Sequence, residues 1–418
     1  MYKITKKYFR LINESKFVLL TNLTDKIYSF LILFLFARNF SYTDYGKIVT
    51  VFTLAAVLST ITNLGLPIFI QREIARNKND SSKIYSNIFI IYLALLIPYL
   101  VFAFAVHSIF YGSIDTLIFL TISFAIYISS ICNLLNRVLS SVFDFKNEFI
   151  SFLFSRLFIL AFFTIGLYFL YFDIQSLLHC ILIGFFLHLI LLLWFVDKDK
   201  IFLIIKSFDF KYIKLILKST LPLGAAVVIN YLYDKADVLL ISKILDFSKV
   251  ALYNVGYGIF KTSAITFSFI FVSGFTRISF LSRNKRAISL FFKKYFFMVV
   301  SISIILCITL FVFSSSFIHF FYSAKYEDSI IILKILSFGI IALALNNLTG
   351  IILNGMGFFK VVMYITLFAL LANILLNIIF IPLKGIIAAS IITVLTEYFI
   401  FFVEYYYFKK AIAIKNFN

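Results

Sequence analysis

The sequence predicts an all-α, polytopic membrane protein, and three observations predict it. Of 418 residues, 62% are hydrophobic and 14% charged, with a mean hydropathy of +1.04. A soluble chain is about 45–50% apolar and about 25% charged, so this one lacks the polar surface to cover itself. Apolar runs of roughly 20 residues, the length that crosses a bilayer core, recur about twelve times. Basic residues alternate from one connection to the next. The composition also excludes disorder and a disulfide-rich scaffold. A barrel would alternate polar and apolar residues in segments of about ten; the run Ile181–Val196 does not.

Taken in order, the expected spans cover approximately 17–38, 43–70, 84–106, 114–136, 149–172, 175–196, 219–243, 250–275, 291–317, 329–353, 358–380 and 385–407. The first is not a cleaved signal peptide: it is too long, carries Asp25 and Lys26, and no small-residue cleavage pattern follows. Cys132, Cys180 and Cys307 fall inside spans and read as small buried apolar residues. Pro222 is expected in the first turn of the seventh span.

The chain carries 38 Lys+Arg against 19 Asp+Glu, a net +19. Counted by connection, about 27 of the cations fall on one side of the membrane and about seven on the other. The rich side includes Lys3 to Lys16, Arg72 to Lys83, Lys198 to Lys218, Arg277 to Lys294 and Lys409 to Lys415. The positive-inside rule then puts both termini in the cytoplasm, in agreement with an even number of spans. Most of the charge is therefore topological, and no nucleic acid is needed to explain it.

The longest polar connection falls midway. It divides the chain into six spans in 1–196, an amphipathic linker on the inner membrane surface at 197–218, and six spans in 219–418. The segments Phe40–Phe52 (FSYTDYGKIVTVF) and Phe247–Phe260 (FSKVALYNVGYGIF) match with one residue inserted, each after the first span of its half. That suggests a parallel internal repeat.

Polar residues inside spans form stripes. Asn22, Lys26 and Ser29 share one helix face, as do Asn230, Asp234 and Asp237, with Lys235 about 100° around. Tyr257, Lys261 and Ser268 share another, and Asn346, Asn347, Asn354, Asn373, Asn377, Glu397 and Glu404 lie in the last three spans. Each charge facing lipid would cost at least about 2.5–3.5 kcal/mol. The stripes must line a cavity or pair across helices. On the first reading Lys26, Lys235, Lys261 and Arg156 form cationic walls, with Asn22, Asn230 and Tyr257 as polar lining. Asp25, Asp234, Asp237 and Glu397 then become candidates for ion or proton coupling. On the second, Asp25 neutralises Lys26, Asp234 or Asp237 bridges Lys235 or Lys261, and Arg156 snorkels to the inner interface. Glu404 reads as structural, and the Asn residues as interhelical glue. His107, His179, His188 and His319 have no metal-ligand spacing. No Ser/His/Asp pattern, H-E-x-x-H or phosphate loop is present, so no catalytic residue, metal or cofactor is expected.

These residues resemble a family. D-Y-G follows the first span. NLGLPIFIQREIAR (Asn63–Arg76) follows the second, and LPLGAAVVINYLYDKADVLLISKIL (Leu221–Leu245) opens the second half. Together they look like the polysaccharide-transport branch of the multidrug/oligosaccharidyl-lipid/polysaccharide exporter superfamily, the Wzx-type O-antigen and capsule flippases. The resemblance implies a MATE-like, V-shaped pair of six-helix lobes in the bacterial cytoplasmic (inner) membrane. It implies alternating-access transfer of an undecaprenyl-diphosphate-linked oligosaccharide to the periplasmic leaflet, beside glycan polymerase and chain-length machinery. Lys26, Lys235, Lys261 and Arg156 would attract the diphosphate, the lysines as point charges without the arginine fork. Three alternatives stand beside it: a cation-coupled drug exporter of the same superfamily, a lipid II flippase, and a membrane oligosaccharide polymerase or ligase. The outer connections are short, about 5–12 residues, which disfavours the enzyme.

Overall fold

The computed structural model describes residues 2–76, 81–196, 209–267 and 285–413. The protein is all-α and polytopic: ten of its described helices are long and apolar enough to cross a membrane. In chain order the helices are α1 (Tyr2–Asn39), α2 (Tyr42–Thr62), α3 (Leu66–Arg76), α4 (Ser81–Phe110), α5 (Thr116–Ser141), α6 (Phe145–Tyr168) and α7 (Ile174–Phe195). They continue as α8 (Phe210–Ile244), α9 (Phe247–Ser263), α10 (Lys285–Val312), α11 (Ser314–Tyr322), α12 (Ser329–Gly355) and α13 (Phe359–Ala413).

Local chemistry sets the helix ends. Asp115, Asp144, Asp173 and Asp246 cap the starts of α5, α6, α7 and α9, each accepting backbone N–H groups of the first turn. Asp209 does the same for α8 through Tyr212 N–H, 3.1 Å. A hydrogen bond from the Lys83 ammonium holds the Asp209 carboxyl below its usual range.

Several expected boundaries move. The second span ends at Thr62, not near 70, because Leu64 and Gly65 adopt positive φ (50° and 73°) and turn the chain. Residues 66–76 then form the separate α3, which buries Leu66, Phe69, Ile70 and Ile74 on one side. Pro222 lies well inside α8, not in its first turn, because residues 210–218 of the expected linker already belong to this helix. The hydroxyls of Ser219 and Thr220 bond carbonyls of the preceding turn, and such supplementary bonds let membrane helices carry proline. The rest of that linker, 197–208, and the end of the eighth expected span, 268–275, lie outside the described residues. The 55-residue α13 breaks at Gly385 (φ 61°, ψ −146°), three residues after Pro382. Each side of the break is long enough for one crossing at about 1.5 Å per residue.

By its internal contacts the chain forms two compact units. The first comprises Met1–Ile32 and Val51–Val228, the second Leu33–Thr50 and Ile229–Asn418. The boundary passes through the interiors of α1, α2 and α8. In the first unit α5 packs against α3, α4 and α7, and α6 against α7. In the second, α12 packs along α10 and α13, with α9 against α12. The two matched sequence segments touch within the second unit. A Cβ on Gly46 would lie 1.8 Å from the Phe247 carbonyl oxygen, so only glycine permits this approach. Asn254 Nδ2 donates to Tyr45 OH across the same contact, 2.7 Å.

Candidate functional site

In the second unit, the stripes on α8 and α9 face each other and form a ladder. Tyr253, Tyr257 and Lys261 recur every four residues on α9, so they share a face. Asp234 and Asp237 are three residues apart on α8 and face them. Tyr253 OH donates to Asp237 Oδ2 (2.7 Å) and Tyr257 OH to Asp234 Oδ1 (2.9 Å). Lys261 Nζ sits 2.6 Å from Asp234 Oδ1, and Lys235 Nζ 2.9 Å from Asp234 Oδ2. Both ammonium groups also lie over the Tyr257 ring, at 5.4 and 5.7 Å. One carboxylate thus holds two cations, leaving a net positive charge and N–H donors to spare.

Asp237 is buried and serves a different network. Besides Tyr253, it accepts from Thr393 Oγ1 (2.6 Å) and Asn377 Nδ2 (2.8 Å), both on α13. It forms no ion pair with a lysine among the described residues, so of the two carboxylates the sequence offered as bridges only Asp234 acts as one. A cavity of about 320 Å³ opens beside the ladder, lined by Asn230, Asp234, Lys261, Asn346, Glu397 and Glu404 among others. Asn346 Nδ2 holds Glu397 Oε2 at 2.5 Å, and Thr349 Oγ1 donates to Glu404. Glu404 is buried and faces this cavity.

The first unit holds the remaining candidates. Lys26 and Asn22 are exposed and Asp25 half-buried on α1. Lys26 forms no ion pair among the described residues, so local neutralisation by Asp25 does not occur. Arg156 does not snorkel: its side chain is 5% exposed, enclosed by the rings of Phe152 (4.3 Å), Tyr28 (4.8 Å) and Phe185 (4.8 Å). The approach of α6 to α7 brings it there. A Cβ on Gly184 would lie 2.0 Å from Ile159 Cγ1, and Ser155 Oγ donates to the Gly184 carbonyl at 2.9 Å. A second polar cavity of about 280 Å³ adjoins Arg156 and is lined also by Asn22, Asp25, Asn136, Glu148 and His188.

The candidates therefore separate. Asp234, Lys235, Asp237, Tyr257 and Lys261 come together in one unit, with Asn230 and Glu397 on the same cavity. Asn22, Asp25, Lys26 and Arg156 belong to the other. Sequence reasoning did not single out Tyr253, Thr393 or Asn136, and it weighed His188 only as a metal ligand. Tyr253 was reachable by extending the Tyr257–Lys261 spacing back one turn; the others carry no local signal. All three cysteines are buried free thiols.

A family model described as polysaccharide biosynthesis protein matches residues 35–331. Among solved structures, the lipid II flippase MurJ in an inward closed conformation is similar at 18% identity and TM-score 0.75, over 95% of this chain and 88% of that one. A multidrug resistance MATE family transporter of the MOP superfamily, inward-facing, is similar at 17% identity and TM-score 0.72, over 94% of each chain. A mutant of the Vibrio cholerae MATE transporter VcmN is similar at 13% identity and TM-score 0.70, over 100% of this chain and 99% of that one. No curated protein matches the chain in sequence.

Proposed function

From a chain that belongs to the polysaccharide biosynthesis protein family, with the fold of MOP superfamily transporters, we propose a flippase for lipid-linked oligosaccharides. Its substrate is an undecaprenyl-diphosphate-linked O-antigen or capsule repeat unit, moved from the cytoplasmic to the periplasmic leaflet of a bacterial inner membrane. The observation that carries this reading is the Lys235–Asp234–Lys261 cluster at the edge of a polar cavity. Within that cluster two ammonium groups meet one carboxylate, a local surplus that a drug exporter selecting cations has no use for, while Glu397 and Glu404 line the cavity farther on. A diphosphate has such a use: it carries at least two negative charges and can take over the ammonium donors that Asp234 holds in its absence. Lys26, exposed on α1, supplies a further cation in the first unit. Cytoplasmic termini, twelve spans and two six-helix lobes, with the linker between them ending before α8 begins at Phe210, belong to the same proposal.

Asp237 is the best placed coupling group. It is buried, anionic when deprotonated and met by neutral donors alone among the contacts described above, so a proton or small cation would change its charge without disturbing the lysines. Asp234 is less suited, because neutralising it releases two cations at once.

The test is translocation. Inverted membrane vesicles loaded with a fluorescent undecaprenyl-diphosphate glycan should show transfer by the wild-type protein. K261A and K235A/K261A should lose at least about tenfold of the rate, the loss of a charge-assisted contact, while inserting normally. Wild-type rates in the double variant, or export of a cationic dye in place of the glycan, would overturn the assignment.

A further inference from the structure

The cavity of the first unit holds polar groups that its own protein surroundings do not satisfy. Arg156 sits inside a membrane span and pairs with no carboxylate among the described residues. Its one hydrogen bond among them is from Nη1 to Ser155 Oγ, 3.3 Å, and Nε has no partner. One turn beyond Gly184, His188 is 1% exposed, and neither ring nitrogen has a partner. Asn136 Oδ1 is buried and unpartnered too. Three rings around the guanidinium stabilise its charge through their quadrupoles, yet they offer no lone pairs to its N–H groups. Buried polar groups are rarely left in this condition unless something completes them.

The completing ligand is constrained from two sides. Arg156 and an imidazole N–H require an acceptor, preferably an anionic one. Asp25, Glu148 and Asn136 Oδ1 line the same space and require donors. Glu148 already takes the Ser140 hydroxyl, 2.7 Å, and keeps acceptor capacity beyond it. Arg137, which also lines the cavity and donates to Gln71 Oε1 at 3.4 Å, offsets one of the two carboxylates; a phosphate dianion would satisfy Arg156 and still bring a second negative charge against the other. A neutral sugar would serve the carboxylates but leave Arg156 unpaired. A polyhydroxylated monocarboxylate meets both requirements. At about 280 Å³ the cavity is slightly below the usual range of roughly 300–1,000 Å³ for drug-sized ligands, which suits one sugar ring. We infer that the first unit contains a recognition site for an acidic sugar, its carboxylate on Arg156 and His188 and its hydroxyls on Asp25 and Glu148. The inference rests on the flippase reading only for the origin of that sugar, as a residue of the transported glycan.

The experiment is saturation-transfer NMR on the full-length protein in nanodiscs, with glucuronate, glucose and inorganic phosphate as probes. Glucuronate should receive saturation at least about tenfold more effectively than glucose, the margin of one charge-assisted contact, and equimolar phosphate should not displace it. R156Q should abolish the effect, R156K should weaken it severalfold, and F154L, at a residue 61% exposed on the outer side of α6, should leave it intact; a thermal melt establishes that each variant is folded. Equal signals from glucose and glucuronate, displacement by phosphate, or a folded R156Q that still binds would each overturn the proposal. Glucuronate binding in a protein that translocates no lipid-linked glycan would sink the flippase reading and leave this site standing. Translocation without glucuronate binding would do the reverse.

Discussion

In the second unit, two ammonium groups close on the single carboxylate of Asp234 at 2.6 and 2.9 Å, with a tyrosine ring beneath them. In the first, a buried guanidinium has three aromatic rings and one serine around it and no carboxylate in contact among the described residues. Both devices keep a cation inside an apolar helical bundle, but they differ in what they hold in reserve. Pairing lowers the cost of the charge and sets an entry barrier, since an incoming anion must compete with Asp234. An aromatic cage stabilises the cation through ring quadrupoles and leaves its hydrogen bonds open. A cation that is paired is suited to a strongly charged ligand that can displace the partner. A caged one is suited to a weaker anion that needs an open donor.

Breaking the pair should have the largest effect. D234N leaves two lysines without their counter-ion. Removing one partner of a buried pair costs about 3–5 kcal/mol, and the lower end applies here because each side chain is 28–30% exposed. Thermal unfolding in detergent should show a drop of many degrees, which the triple variant D234N/K235M/K261M should largely reverse. An unchanged melting temperature in D234N would mean that the lysines are held by solvent and not by Asp234.

The helix approach that builds the caged site can be tested by bulk. G184V would drive a side chain into Ile159, at a cost of about 1–3 kcal/mol for overpacking. I159A in the same protein should recover most of that loss. Failure of the double variant to recover would place the constraint elsewhere than at this contact.

The smallest stability change is expected where the comparison is sharpest. R156M removes a buried charge that has no counter-ion, so the desolvation it relieves offsets the ring contacts it gives up. The melting temperature should shift by no more than the equivalent of about 1 kcal/mol, in either direction. A loss comparable to that of D234N would show that the guanidinium is held by a strong partner after all, and that the two units do not differ in kind.

Much of the second unit's site could be read in advance. Asp234, Asp237, Tyr257 and Lys261 announce themselves because a charge or hydroxyl inside an apolar run is conspicuous, and helical spacing tells which of them share a face. Lys235 was separated from that face by its phase, yet its flexible stem brings the ammonium back to Asp234. Thr393 and Asn377 were not assignable to Asp237, since nothing in a run of Ile, Ala and Thr states which helix it will meet. The first unit was harder still. His188 stands 32 residues from Arg156, outside any local motif, and becomes its neighbour only because Gly184 lets α6 and α7 close together.

The sequence by itself determined the solvent of this protein and the periodicity of its elements. Hydropathy and segment length respond to the bilayer, a uniform medium that each stretch of chain meets independently. Tertiary structure decided which cations are paired, that Arg156 is caged and not snorkelled, and that Glu404 faces a cavity. Those outcomes depend on contacts between helices far apart in the chain, where a glycine's missing Cβ or one tyrosine hydroxyl settles a geometry that composition cannot encode.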